Sequence, residues 1–158
     1  MRAITLAAIL VLVAGCSSNS PVSPKLSSSA NGIAAAHVYV GGNMADGQVV
    51  QGARGQTLLE ARMSDAGHLG NIRQVMVRYD LPGMGGGMMR RTGQQLCYDD
   101  GTHGDAVAGD GVYHFMDADD MIGCGGANSP MGDYQYHFSC DLSDGTHSGE
   151  TTVTVRRN

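Results

Sequence analysis

From Gly32 onward, apolar and polar residues alternate in short runs that are broken about every ten residues by Gly, Asp and Asn, the pattern of short strands joined by tight turns. Ala36, Val38 and Val40 alternate with His37 and Tyr39 and stop at Gly41-Gly42, which predicts a first strand. Leu59, Ala61 and Met63 alternate with Glu60 and Arg62 in a second, closed by the turn residues Ser64-Asp65-Ala66-Gly67. A third run opens at Ile72, with Val75, Val77 and Tyr79 on one face and Arg73, Gln74, Met76 and Arg78 mainly on the other, and ends at Leu81-Pro82-Gly83. Further strands are predicted over Gln94 to Tyr98, Val112 to Met116, Tyr134 to Cys140 and Thr151 to Val155. The Tyr134 to Cys140 run has the clearest alternation: Tyr134, Tyr136, Phe138 and Cys140 on one face, Gln135, His137, Ser139 and Asp141 on the other. No stretch of residues 32–158 carries a convincing helical period, so the expectation is an all-β domain, a two-sheet sandwich of about seven strands.

The first thirty residues follow different rules. Arg2 precedes an apolar run from Ala3 to Val13, too short to span a bilayer and of the length of a secretory signal's hydrophobic region. The run ends in Val13-Ala14-Gly15-Cys16, which resembles the lipobox of bacterial lipoproteins, where small residues precede a cysteine that is diacylated on sulfur, freed by cleavage and acylated on nitrogen. The resemblance implies a signal peptide over residues 1–15 and a lipidated Cys16, with acyl chains that bury more than the two-signal minimum for stable anchoring. Ser17 rather than Asp follows the cysteine, which in lipoproteins of two-membrane bacteria implies transfer to the outer membrane. The expected location is therefore the bacterial cell envelope, lipid-anchored without spanning. Residues 17–31 read SSNSPVSPKLSSSAN, with seven serines and two prolines, and cannot offset their own ordering entropy, so 16–31 is expected to be a flexible tether. Such a stretch has a mean span of about 20 Å.

Composition narrows the class. Of 158 residues, 24 are glycine, two are phenylalanine and none is tryptophan, which disfavours a coiled coil or a large aromatic core. Without the first fifteen residues, nine Arg plus Lys face fifteen Asp plus Glu, a net charge of −6 that argues against nucleic acid as a partner.

The stretch Asp99-Asp100-Gly101-Thr102-His103-Gly104-Asp105-Ala106-Val107-Ala108-Gly109-Asp110-Gly111-Val112-Tyr113 resembles a signature of bacterial immunoglobulin-like surface domains, DDGxxGDxxAGDGxY set between two strands. The Met63 to Gly67 turn with the Ile72 to Val77 strand, and Gly132 to Gly145, are similar to other parts of those domains, so the resemblance covers residues 34 to 157. It implies an immunoglobulin-like fold for residues 32–158 and a surface setting, because such domains occur as accessories in adhesins, secreted enzymes and lipoproteins. The chain departs from the pattern in a long insertion, Asp117 to Met131, and in a glycine- and methionine-rich loop after the third strand. Individual function is expected in those loops.

Residues 99 to 120 hold seven of the fifteen acids and no Lys or Arg. Two readings compete. Close-set Asp99, Asp100, Asp105 and Asp110 could supply carboxylate oxygens to calcium, which takes six to eight. Alternatively, Asp and Gly serve only to turn the chain, with the side chains accepting hydrogen bonds from their own backbone amides. The spacing is not that of an EF-hand, because Gly101 and His103 fall on ligand positions. Export makes a disulfide expected among Cys97, Cys124 and Cys140. The shorter loop favours Cys124 with Cys140, whereas adjoining strand ends favour Cys97 with Cys140, so a bond involving Cys140 is expected and one thiol is left over.

The loop Gly83-Met84-Gly85-Gly86-Gly87-Met88-Met89 invites soft-metal ligation, but no His stands at a ligand spacing and methionines commonly fill gaps. The loop lacks the Gly-Lys-Ser/Thr ending of a phosphate loop, and no nucleophile elbow or His-Glu-x-x-His helix is present. Asp100-Gly101-Thr102-His103 recurs as Asp144-Gly145-Thr146-His147, too short for a repeat and expected in two turns. The sequence thus favours a non-catalytic envelope domain for adhesion, envelope structure or docking of an envelope or surface protein. The competing expectation is a lipoprotein that binds calcium or a small ligand through loop 99–120.

Overall fold

The computed structural model describes residues 32–64, 71–83, 90–119 and 121–158. The signal segment, Cys16 and the tether lie outside the described residues, as do most of the turn after Met63, the methionines of loop 83–89 and Asp120. Among the described residues there are nine strands: β1 (Ile33–Val40), β2 (Asn43–Met44), β3 (Val49–Val50), β4 (Thr57–Met63), β5 (Ile72–Leu81), β6 (Arg91–Cys97), β7 (Val112–Asp117), β8 (Gly132–Leu142) and β9 (Thr151–Arg157). Each of the seven strands predicted from alternation is there, and two two-residue strands, β2 and β3, are added.

The strands form two sheets packed face to face. One has the order β2-β1-β4-β7, the other β3-β9-β8-β5-β6. Every pairing is antiparallel except β3 with β9. The period-2 pattern sends one residue in two between the sheets: Val38 and Val40 from β1, Leu59 and Ala61 from β4, Val75 and Val77 from β5, Val153 and Val155 from β9. Tyr134, Tyr136, Phe138 and Cys140 of β8 are all buried, so the face expected to be internal is internal. β8 supplies the largest side chains because it is central in its sheet, with β5 on one side and β9 on the other.

Cys97, Cys124 and Cys140 are each a buried free thiol, so the expected bond involving Cys140 is not made in this structure. Strand order gives the reason. Val75 of β5 pairs with Cys97 on one side and with Cys140 on the other, so these two cysteines stand two strand spacings, about 10 Å, apart. That exceeds the roughly 7 Å between Cα atoms that a disulfide can bridge. Cys124, in turn, lies against Tyr136, toward the end of β8 opposite Cys140. Burial pushes the Cys97 thiol up to about 12 and the Cys124 thiol up to about 11, the latter despite opposing contacts from Tyr136 and Arg157.

The insertion after β7 is built on one carboxylate. Asp117, 4% exposed, accepts hydrogen bonds from the amides of Met121 (3.1 Å), Ile122 (2.9 Å) and Gly123 (2.6 Å). Tyr136 donates its hydroxyl to the Ile122 carbonyl at 2.8 Å, and the buried Arg157 donates from Nη1 to the carbonyls of Cys124 and Gly52, each at 2.9 Å. A segment with few apolar residues is thereby held to the core by polar contacts that leave few of its buried groups unpaired.

Candidate functional site

The acidic segment links β6 to β7, and its two ends are pinned by a bridge in which Tyr98 and His114 exchange backbone hydrogen bonds of 2.8 Å. Between them the chain folds around its own aspartates. Asp99 Oδ1 accepts the amides of Gly109 (2.6 Å) and Asp110 (3.2 Å), and its Oδ2 accepts that of Gly111 (2.9 Å). Asp105 accepts from Gly101 (2.7 Å) and Val107 (3.3 Å), and Asp110 from Val112 (2.9 Å). Asp100 turns outward and accepts from the Thr102 amide (2.9 Å) and hydroxyl (2.5 Å). The turn at Asp144 repeats that arrangement with Thr146, so the recurrent Asp-Gly-Thr-His is one turn used twice. His103 takes a left-handed φ of 54° and stacks on Tyr98 with ring centres 4.0 Å apart.

The loop lies over the outer face of the β1-β4-β7 sheet. Gly104 has a left-handed φ of 93°, which favours glycine, and an added Cβ would come within 2.6 Å of Leu58 Cδ1 and force that side chain aside. The loop brings Asp105, 7% exposed, against His114. His114 Nδ1 stands 3.3 Å from Asp105 Oδ1, outside hydrogen-bond geometry, and Nε2 stands 3.2 Å from Glu60 Oε2. Burial alone would raise the Asp105 pKa, but the Gly101 and Val107 amides and the facing His114 hold it below the usual carboxylate range. Glu60 and His114 occupy outward positions of the strand pattern yet are only 9% exposed, because the loop covers them. The alternation places Glu60 on a polar face, and nothing in the sequence marks either residue as a site residue. The missing signal is tertiary, since nothing in the local sequence says where loop 98–111 comes to rest.

Of the four candidate ligands, the structure gathers three. One carboxylate oxygen from each of Asp99, Asp105 and Asp110 lies within 4.8 Å of the others, while Asp100 is engaged with Thr102 outside the group. Together the three carboxylates carry six oxygens, and five of these accept backbone amides. A calcium ion here would share the remaining lone pairs with the amides or displace them, since each oxygen has about two acceptor sites.

Beside the loop, on the same sheet face, an open groove of about 520 Å³ is lined by Tyr39, Gly41, Gly42, Gln56, Leu58, Glu60 and Met116. Its carboxylate, Glu60, is occupied by His114, and Tyr39 is pushed up in pKa by burial and then by Glu60 and Asp46. The groove therefore offers apolar and hydrogen-bonding surface with a weakly acidic phenol.

Fold and site together define an all-β, two-sheet sandwich with an aspartate-built loop laid over one sheet. A scan against protein-family models finds no match, and searches of curated proteins and of solved structures find none either.

Proposed function

We propose that the chain is a lipid-anchored, non-catalytic domain of the bacterial cell envelope, at the outer membrane, serving adhesion, envelope structure or docking of another envelope or surface protein. One observation carries the reading: Val13-Ala14-Gly15-Cys16 closes an apolar run and is followed by a serine-rich tether that leads into a self-contained sandwich. Ser17 after the cysteine supports the outer membrane. Two features support an immunoglobulin-like assignment for that sandwich. The order β1-β4-β7 against β9-β8-β5-β6 corresponds to strands A-B-E facing G-F-C-C′, with no D strand among the described residues. Tyr134, near the start of β8, donates its hydroxyl to the Pro130 carbonyl at 2.8 Å, the arrangement of a tyrosine corner. Metabolic labelling with palmitate tests the anchor. Cys16→Ala should abolish the label and leave precursor uncleaved, and normal labelling of that variant refutes it.

The second reading is a calcium site at Asp99, Asp105 and Asp110, favoured by the approach of their oxygens to within 4.8 Å. Thermal unfolding of residues 31–158 in chelator and then in calcium decides it, because binding to the native state raises stability by RT ln(1 + [L]/Kd). A calcium-specific rise lost in Asp105→Ala or Asp110→Ala supports the site. An unchanged melt leaves the aspartates as turn builders.

A further inference from the structure

Strand register fixes the rows of the groove on the outer face of the β1-β4-β7 sheet. Tyr39, Leu58 and Met116 stand side by side across the three strands, and the next row toward the end of β4 is His37, Glu60 and His114. Residues two apart on a strand are about 6.7 Å from each other, so the Glu60 carboxylate stands one such step beyond the apolar floor of Leu58 and Met116.

Glu60 is only 9% exposed, yet it lines the groove. His114 takes its Oε2 at 3.2 Å, and Asp105 faces the other ring nitrogen, so the carboxylate is held from the buried side. Oε1 accepts no hydrogen bond from the described residues. Its ion-pair contact among them is Arg62 Nη2 at 3.7 Å, beyond hydrogen-bond reach and carried by a side chain 58% exposed. A carboxylate oxygen with a fixed orientation and no donor is thus presented at the end of an apolar trough. Tyr39 borders it, and the charges of Glu60 and Asp46 add to burial in pushing that phenol up in pKa, outweighing Arg62. The groove is therefore negative at this end.

We infer that the groove receives a lysine side chain from an extended segment of a docking partner, with its stem on Leu58 and Met116 and its ammonium on Glu60 Oε1. The inference rests on the docking part of the reading above and supplies the partner's chemistry. Charge complementarity selects a cation, because an anionic or neutral group would leave the carboxylate oxygen unpaired. The four-carbon stem of lysine spans about one row of the sheet and can bury its methylenes while the charged head reaches on. Arginine fits less well. Its planar fork matches two free carboxylate oxygens, and His114 already holds one of them.

The test uses the full chain, lipidated at Cys16, in zwitterionic detergent micelles, with its methionine methyl groups labelled for NMR. The probe is a capped pentapeptide, Ser-Ala-Lys-Ala-Ser, compared with the same peptide carrying norleucine, N-acetyl-lysine or arginine at the centre. The Met116 methyl should shift saturably with the lysine peptide, while that of Met76, on the other sheet, stays unmoved. The norleucine and acetyl-lysine peptides should bind about tenfold more weakly, and arginine should fall between. Glu60→Gln should lose about the same factor. Arg62→Gln, at an exposed position where folding is not at stake, removes the competing cation and should tighten lysine binding about twofold. An unmoved Met116 at millimolar peptide, or equal affinity for lysine and norleucine, overturns the inference. So does an affinity indifferent to both Glu60→Gln and Arg62→Gln. Palmitate labelling at Cys16 is read separately, so failure at the groove leaves the anchor standing.

Discussion

Asp117→Ala isolates the contribution of one carboxylate to the whole insertion. The side chain is 4% exposed and accepts three amides, of which Ile122 and Gly123 are buried while Met121 is at the surface. Alanine leaves the two buried donors without a partner, and the Met121 amide can turn to water. A hydrogen bond to a charged group contributes about 1.5–3 kcal/mol, so two such losses come to about 3–6 kcal/mol. Removing a buried charge recovers part of its desolvation, which places the expectation near the lower end, about 3 kcal/mol. For a domain of this size that is a fall in Tm of about 10 °C. Asp117→Asn keeps an oxygen for the Ile122 and Gly123 amides and should cost less, while Asp119→Ala, at an exposed position of the same loop, should fall within about 0.5 kcal/mol of the parent. Urea unfolding of the three variants measures the differences, and hydrogen exchange at Ile122 and Gly123 reports the loop directly. If Asp117→Ala unfolds within 1 kcal/mol of the parent and those amides stay protected, a single carboxylate does not organise the insertion.

Gly111 has φ of 83°, and Gly111→Val should destabilise the domain by about 2 kcal/mol or more; an unchanged melt would contradict the need for a left-handed residue there. The thiols of Cys97, Cys124 and Cys140 should stay unreactive toward an aromatic disulfide reagent in the native state and titrate together on unfolding, and fast labelling of any of them natively would show it to be accessible. Tyr134→Phe removes the hydroxyl given to Pro130 and should cost about 1 kcal/mol in chemical unfolding. Asp105 titrates lower folded than unfolded, so its stabilisation is complete above the unfolded value of about 3.9 and is lost as pH falls through the lower folded value. Urea midpoints taken below about pH 4 should therefore fall less steeply in Asp105→Asn than in the parent, and parallel curves would remove Asp105 from the acid response.

The strands that sequence located best are those with the strongest contrast between faces. β8 alternates large apolar with polar residues throughout and was legible along most of its length. β6 begins at Arg91 rather than Gln94 because it is an edge strand, buried only at Cys97, so its residues carry no inside-outside contrast. β1 begins at Ile33 because Ala34 and Ala35 are apolar on both faces and hide the period. β2 and β3 are too short to have one. The cysteine pairing failed for a different reason: adjacency of strand ends depends on strand order, and β5 inserts between β6 and β8.

At the candidate site, the chemistry of each aspartate was local and therefore legible, whereas its destination was not. Asp100 and Asp144 bond to a threonine two residues on, an interaction that short-range spacing predicts for any Asp-Gly-Thr turn. Asp99 reaches ten to twelve residues ahead, and only the return of the loop brings Gly109 and Gly111 to it. Asp105 goes further, because its contact with His114 exists only once β7 has paired with β4 and set His114 beside Glu60. The same residue type thus runs from turn former to loop closer to tertiary anchor within one segment. The approach of Asp99, Asp105 and Asp110 follows from closing the loop, and five of their six oxygens are already occupied by the amides that close it. A cation at this place would have to compete with the hydrogen bonds that create it, which is why a rise in stability with calcium discriminates the two readings where proximity alone does not.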